Sequence, residues 1–549
     1  MKKKIFKQLK PAFSYILIGI VLTVSVGYQS GYFEIAKQLE IFNLVFKTVN
    51  TQYVSETNPA ELMEKSINKM LNDLDPYTRF LNEQDVEEYR IKQQGSYGGI
   101  GASTRYKKDA IILTEVYLDS PADKAGLKAG DKITAIDGTK ISDYKPKEVK
   151  ALLKGIPDTK VNVKIVRQGK VINKTIVREE VAINPVPFHA ITNEDIGYIP
   201  LLKFNKKTTT QVKAALVDLK EQGAKKIVLD LRGNPGGLLS QAVSVVNLFV
   251  PKGQLVVDTR SRVAKFNREY KTKGKAFDTE IPLVVIVNSR SASASEIVSG
   301  TLQDLDRAVI IGDRSFGKGL VQRPSKLAYG TQMKLTISKY YTPSGRCIQE
   351  MDYWNRDSLG RPQKYDLKKR NTFKTKNGRT VYDGSGITPD VQVQDSKVSK
   401  IASFLLRDDL FINYASNYYY AHPNFDASNF VFSDTDFDDF ITYAKTNHFS
   451  YKSKTEKYLE KLELTAKDDE LDTAITGSVT ALNKTIEDAK IKALISHKKE
   501  IKQLFTYELI KRFAYRKGLY QYKLHHDLEI QKAIELLNNS KAIKRILKN

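Results

Sequence analysis

Ser293 and Lys318 are the residues of this chain whose types and surroundings best suit covalent chemistry. A serine hydroxyl and a lysine amine make a nucleophile and base for acyl transfer when the amine is desolvated enough to give up its proton. Ser293 lies in VIVNSRSASASEIVSG, after the apolar run Ile281 to Val287 and before Ala294-Ser295-Glu296-Ile297-Val298. The first segment reads as a buried strand and the second as a helix start, so Ser293 is expected at a strand-to-helix turn. There the unpaired N–H groups and the positive end of the helix dipole would stabilise an oxyanion. Lys318 stands between two glycines in IIGDRSFGKGLVQ, after the apolar run Ala308 to Ile311. The six histidines are His189, His422, His448, His497, His525 and His526. None sits in a strand-end or glycine-rich context that pairs with the serine turn, which disfavours a Ser-His-Asp triad.

A third segment supplies what such a pair would need. Ile227 to Leu231 reads as a strand, Arg232-Gly233-Asn234-Pro235-Gly236-Gly237 as a tight turn, and Leu238 to Val250 as a helix. Glycines let backbone approach a substrate closely, so the N–H groups of Gly236 and Gly237, with that of Ala294, are candidates for an oxyanion hole. The same turn taken alone is an ordinary strand-helix connection. Lys318 also has a competing reading, because Gly312 to Lys318 fits the GxxxxGK part of a phosphate-binding loop. Gly319 stands where a Ser or Thr would hold Mg²⁺, which opposes an NTPase.

SASASEI, DLRGNPGG and GDRSFGKGLVQ resemble the signature segments of the C-terminal processing peptidases, or tail-specific proteases, and YYTPSGRCIQ and GSGITPDV continue the family's order. The resemblance runs from about Ile41 to Val391. It implies a serine–lysine endopeptidase with Ser293 as nucleophile, Lys318 as general base, and Gln322, one helical turn or a short loop beyond the lysine, orienting the amine. It implies no cofactor and no metal. Ser315, Leu320 and Cys347 depart from residues common in the family, and none removes a proposed catalytic group. A charged stretch from Glu350 to Asp383 is expected to alter only local loop geometry. A catalytically inactive scaffold is the alternative, opposed by the intact Ser293, Lys318 and Gln322.

SPADKAGLKAGDKITAIDG, from Ser120, resembles a PDZ domain. Ser120 as N-cap and Pro121 at the first helical position start a short helix ending at Gly126. Ile111 to Tyr117, Lys132 to Ile136 and Val161 to Val166 read as strands, and Tyr144 to Leu153 as a second helix. The resemblance implies capture of an extended peptide at a sheet edge, with its carboxylate on the loop Gly95-Ser96-Tyr97-Gly98-Gly99-Ile100-Gly101. Protein substrates with exposed C-terminal tails are the partners this predicts.

The elements that carry these motifs divide the chain. Residues 1–29 hold Lys2, Lys3, Lys4, Lys7 and Lys10 before the apolar stretch Ala12 to Val26, which reads as an uncleaved transmembrane signal anchor. This predicts attachment to the inner membrane with the remainder on the periplasmic or extracytoplasmic side. Residues 30–88 read as an N-terminal helical region, 89–180 as the PDZ domain, 181–391 as the protease core and 392–549 as a helical extension. The fold expected is α/β: a crotonase-like ββα serine protease core, the fold name resting on the resemblance, with a PDZ domain, an N-terminal membrane anchor and a helical C-terminal extension. The single cysteine, Cys347, excludes an intrachain disulfide and leaves no cysteine cluster for zinc. The net charge of +25 is spread along the chain and not gathered in a nucleic-acid module, so no nucleic acid is expected. FSDTDFDDF, residues 432–440, lacks the glycine and distant glutamate of a calcium loop. Tyr414, Tyr418, Tyr419 and Tyr420 read as a packed face. The extension is compatible with a brace, a homo-oligomer contact or an adaptor-docking surface.

Overall fold

The computed structural model describes residues 32–144, 146–192, 195–393 and 398–548. The apolar stretch Ala12 to Val26 lies outside them, and no described helix is long and apolar enough to cross a membrane. Two compact units are present, one made of residues up to Leu81 with Ser325–Leu335, the other of Asn82–Pro324 with Thr336–Asn549. In the first, a helix over 32–52 precedes Pro59–Asn72, whose N-cap Asn58 accepts from the Glu61 N–H at 3.1 Å. Strand Arg79–Leu81 then pairs antiparallel with Gln332 to Lys334.

The second unit is built on a six-stranded sheet whose spatial order follows the chain: β1 (Ala190–Ile191), β2 (Ile196–Pro200), β3 (Lys226–Asp230), β4 (Leu283–Val287), β5 (Val309–Gly312) and β6 (Val391–Gln392). From β2 onward all neighbours are parallel. Parallel strands joined by helices must be covered on both faces, which explains why β3, β4 and β5 are almost continuously apolar. Successive side chains alternate between the faces. Ile227, Leu229, Val285, Val287 and Ile310 pack with α1 (Thr208–Glu221), α2 (Leu239–Phe249) and α3 (Ala294–Asp304). Val228, Val284, Ile286, Val309 and Ile311 face the other way and form a separate core with Leu524, Ile530, Ala533, Ile534 and Leu537.

That second layer comes from the helical extension. Its helices α4 (Lys498–His526) and α5 (Leu528–Asn538) follow a cluster built from Lys400–Leu405, Asp409–Ala421, Asp434–Asn447 and Asp472–Ser496. Tyr414 and Tyr418 pack against Phe432, while Tyr419 lies on Phe513. The acids of FSDTDFDDF serve the helix itself. Asp436 closes a capping box with Ser433, and Asp434 pairs with Lys498 and Lys502.

The PDZ-like part is an antiparallel sheet whose edge strand is Ala102–Tyr106, followed inward by Ile111–Val116, Lys132–Ile136, Lys160–Arg167 and Lys170–Val177. α4 grips it. Arg512 Nη1 donates to Ala129 O at 2.8 Å, Tyr515 Oη to Asp123 Oδ1 at 2.7 Å, and Arg516 to both oxygens of Glu115 at 2.5 and 2.8 Å. The helix is kinked there, with Tyr515 at φ +57°. The charged stretch Glu350 to Asp383 is more ordered than a loop: it forms two antiparallel hairpins, and Arg379 anchors it to Asp306 at 2.6 Å and Asp390 at 2.5 Å.

Ile530 is fully buried between α5 and the sheet. Ile530→Ala is expected to lower the unfolding free energy by about 2–5 kcal/mol, read by urea denaturation of the whole protein; an unchanged midpoint would show that α5 contributes little to the sheet.

Candidate active site

The three motifs meet because three neighbouring parallel strands end side by side. The carboxyl ends of β3, β4 and β5 lead into the glycine turn, the serine turn and the lysine loop, at the edge where parallel α/β sheets bind their ligands. Ser293 is the N-cap of α3, as its sequence context predicts. Its backbone is at φ +56°, ψ −111°, a conformation that L-residues rarely adopt and that must be held by its surroundings.

Glu296, one turn into α3, does much of the holding. Its carboxylate is fully buried and accepts four hydrogen bonds: from the Ser293 N–H at 2.7 Å, Ser315 Oγ at 2.6 Å, the Gly317 N–H at 2.7 Å and the Lys318 N–H at 2.9 Å. One side chain therefore ties the serine turn to the lysine loop. Burial pushes its carboxyl above the ordinary value, and the four hydrogen bonds pull against that rise. Tyr340 makes a second tie: its N–H donates to Gly319 O at 2.9 Å and its hydroxyl to Ser293 O at 3.3 Å. Gly319 in turn donates to Gln349 Oε1 at 2.8 Å. Neither Glu296 nor Tyr340 was singled out by sequence reasoning. The i, i+3 spacing of Ser293 and Glu296 was a usable capping-box signal.

The glycine turn is fastened to the serine turn by Asn234, which is fully buried. Asn234 O accepts from the Ala292 N–H at 3.0 Å and from Ser295 Oγ at 2.9 Å, while its side chain donates to Leu201 O and accepts from the Gly236 N–H at 2.9 Å. A side chain at 236 has no room, since an added Cβ would lie 2.6 Å from Ala292 O and 2.9 Å from Ser293 Cβ. At Gly237 it would lie 2.0 Å from Phe204 O. The two glycines, equivalent in sequence, differ here. The Gly236 N–H is committed to Asn234, which removes it from the expected oxyanion set, whereas the N–H groups of Gly237 and Ala294 have no partner among the described residues.

Of the helical turn or short loop expected between Lys318 and Gln322, the short loop is present: Gln322 stands on strand Leu320–Lys326, which pairs with Gln332–Tyr341. Its amide donates to Leu320 O at 3.2 Å and to Thr336 Oγ1 at 3.3 Å. Of the histidines, His189 pairs with Asp218 at 2.7 Å and the other five lie in the helical extension.

The expected carboxylate loop is in part a strand. Ser96–Gly99 pairs antiparallel with Glu179–Ala182, and Gly98 packs so closely that an added Cβ would lie 2.0 Å from Gly155 O. Only Gly95, Ile100 and Gly101 of the seven lie outside it. A groove runs beside the edge strand, lined by Tyr97, Ile100, Ala102, Ile111, Val149 and Leu153, with helix Pro146–Leu152 on its other side.

Serine and lysine on adjoining strand-end loops, with a glycine turn against the serine, make the α/β core that of a serine-type hydrolase, and comparison with known proteins narrows the class. Peptidase family S41 matches residues 195–353, a PDZ domain 112–167, and the C-terminal helical domain of a probable PDZ-protease 401–537. A carboxy-terminal-processing protease of Bartonella bacilliformis is 39% identical over 319 residues, covering 57% of this chain and 73% of that one. A probable CtpA-like serine protease of Staphylococcus aureus is 32% identical over 350 residues, covering 61% and 70%. The solved photosystem II D1 C-terminal processing protease is 29% identical, covering 65% of this chain and 88% of that one, with a TM-score of 0.37. The chain belongs to the carboxy-terminal-processing protease family and is a serine-type protease.

Glu296→Gln replaces one acceptor oxygen by a donor facing backbone N–H groups. It is expected to lower stability by about 1–3 kcal/mol and proteolysis by about a hundredfold, read by denaturant titration and peptide hydrolysis. Wild-type turnover would show that the two loops hold their places without the carboxylate.

Proposed function

We propose that the chain is an endopeptidase that reads a substrate's C-terminal tail in its PDZ groove and cleaves by a serine–lysine mechanism at Ser293. The observation that carries the site assignment is the Glu296 carboxylate, which binds the Ser293 and Lys318 N–H groups at once and so presents both residues from one rigid frame. Ser293 Oγ attacks the scissile carbonyl carbon while the neutral Lys318 amine takes its proton. The oxyanion is received by the Gly237 and Ala294 N–H groups. Lys318 then returns the proton to the leaving amine as the C–N bond breaks, leaving an ester on Ser293. Water, deprotonated by the same amine, hydrolyses that ester and restores the enzyme. Gln322, held on its strand by Leu320 and Thr336, orients the lysine.

The open edge of Ala102–Tyr106 supports the tail-binding step. It can accept an extended peptide as a further strand, and the apolar groove takes alternate side chains. The lysine-rich, then apolar, N-terminus supports placement at an export membrane with the protease outside the cytoplasm.

Ser293→Ala and Lys318→Ala are each expected to abolish hydrolysis of a short unstructured peptide while the circular dichroism spectrum stays unchanged; turnover at the wild-type rate in either variant would overturn the assignment. Amidating the terminal carboxylate of a tail-bearing protein substrate is expected to weaken its cleavage by about tenfold or more, the effect of losing one charge-assisted hydrogen-bonding group. Equal processing of free and amidated tails would show that the groove does not read the carboxylate.

A further inference from the structure

Arg232 opens the glycine turn, two residues after the end of β3, and its guanidinium is committed to three carboxylates. Nε donates to both oxygens of Asp230 at 3.0 and 3.1 Å, Nη2 to Asp230 Oδ2 at 2.7 Å, and Nη1 to Asp527 Oδ1 at 2.8 Å and also to Glu529. Asp230 is itself fixed by the Tyr198 hydroxyl at 2.8 Å and by the Arg232 N–H at 2.9 Å. All four charged side chains are nearly closed to solvent, at 13% exposure or less. Lys523, half-buried at the same place, is the second basic group beside the three acids, and burial together with Arg232 lowers its pKa.

Asp230 lies within the turn's own strand, but Asp527 and Glu529 come from the helical extension. Asp527 also caps α5, accepting from the Glu529 and Ile530 N–H groups at 3.2 Å. Its position is thereby set by the packing of α5 on the sheet. Without these two acids the Nη1 donors would be buried and unpaired, a state that costs enough to drive the guanidinium towards water. Residues 233–237 would move with it. The turn has little freedom to absorb such a shift, since Gly233 is bound to Asn288 Oδ1 at 3.0 Å and Gly236 abuts Ser293.

We propose that Asp527 and Glu529 are positioning residues for the reaction: through Arg232 they hold the turn that presents the Gly237 N–H to the oxyanion. The proposal rests on the Ser293 reading above and gives the helical extension a part in the chemistry.

The test is pre-steady-state hydrolysis of a chromogenic peptide ester by the full chain carrying Asp527→Asn and Glu529→Gln together. The expected result is an acylation rate constant lowered about tenfold to a hundredfold, as for a small misplacement of a catalytic group, with burst amplitude and KM unchanged. Arg232→Gln should show the same loss, and the triple variant no more than Arg232→Gln alone. Leu537→Ala, on α5 but away from Arg232, should lower the melting temperature and leave the rate constant at 25 °C unchanged. Should the double variant be recovered unfolded, Glu529→Gln alone carries the test, because glutamine keeps the volume and one acceptor. A wild-type rate constant in the acid variants, a fall in burst amplitude alone, or losses that multiply with Arg232→Gln would each overturn the proposal. A burst that persists in Ser293→Ala would instead overturn the underlying site assignment.

Discussion

A carboxylate sealed from water at residue 296 is the constraint on which the site depends. Taking such a charge out of solvent is costly unless it is fully hydrogen-bonded. Here the donors are backbone N–H groups of Ser293, Gly317 and Lys318 and the Ser315 hydroxyl, so satisfying the charge dictates where two separate loops run. Hydrogen bonds to an ionised acceptor are short and strong, which suits a group that must hold Ser293 at a positive φ. The same four bonds leave the helix's first N–H, that of Ala294, outside the capping arrangement.

The second organising fact is that the catalytic sheet has two apolar faces and only one set of helices between its strands. α1, α2 and α3 cover the face carrying Leu229 and Val285. The face carrying Val228 and Ile286 is covered by α5 and the end of α4, from the far side of the helical extension. The extension also holds the PDZ-like sheet through Arg512, Tyr515 and Arg516, so one kinked helix touches that sheet and the protease core alike.

Much of this was legible in the residues, and the limits were physical. The serine turn, the glycine turn and the lysine loop follow from apolar runs broken by Ser, Gly and Asn, because local backbone chemistry decides them. The continuous apolar character of Ile227 to Leu231 and Leu283 to Val287 implied strands buried on both faces, but no periodicity says which distant helix covers a face. The roles of Asn234 and Glu296 depend on contacts between loops far apart in sequence. So does the difference between Gly236 and Gly237, which only the Asn234 side chain creates. The resemblance assigns Ser96–Gly99 to a loop; its pairing with Glu179–Ala182 makes a strand of it despite the weak strand preference of glycine.

The Arg232–Glu529 ion pair joins residues 297 positions apart, and the sheet face beneath it is closed by the same late segment. A chain made from its N-terminus exposes Val228, Val284, Ile286, Val309 and Ile311 well before Ile530 and Ile534 exist to cover them. Contacts of such long sequence separation form late, after loop closure has been met by other interactions. The PDZ-like sheet, whose core residues all lie between Ile100 and Ile176, has no such wait. During synthesis the core of the PDZ-like sheet can thus close while the protease sheet is still open on one side, before α4 exists to join the two.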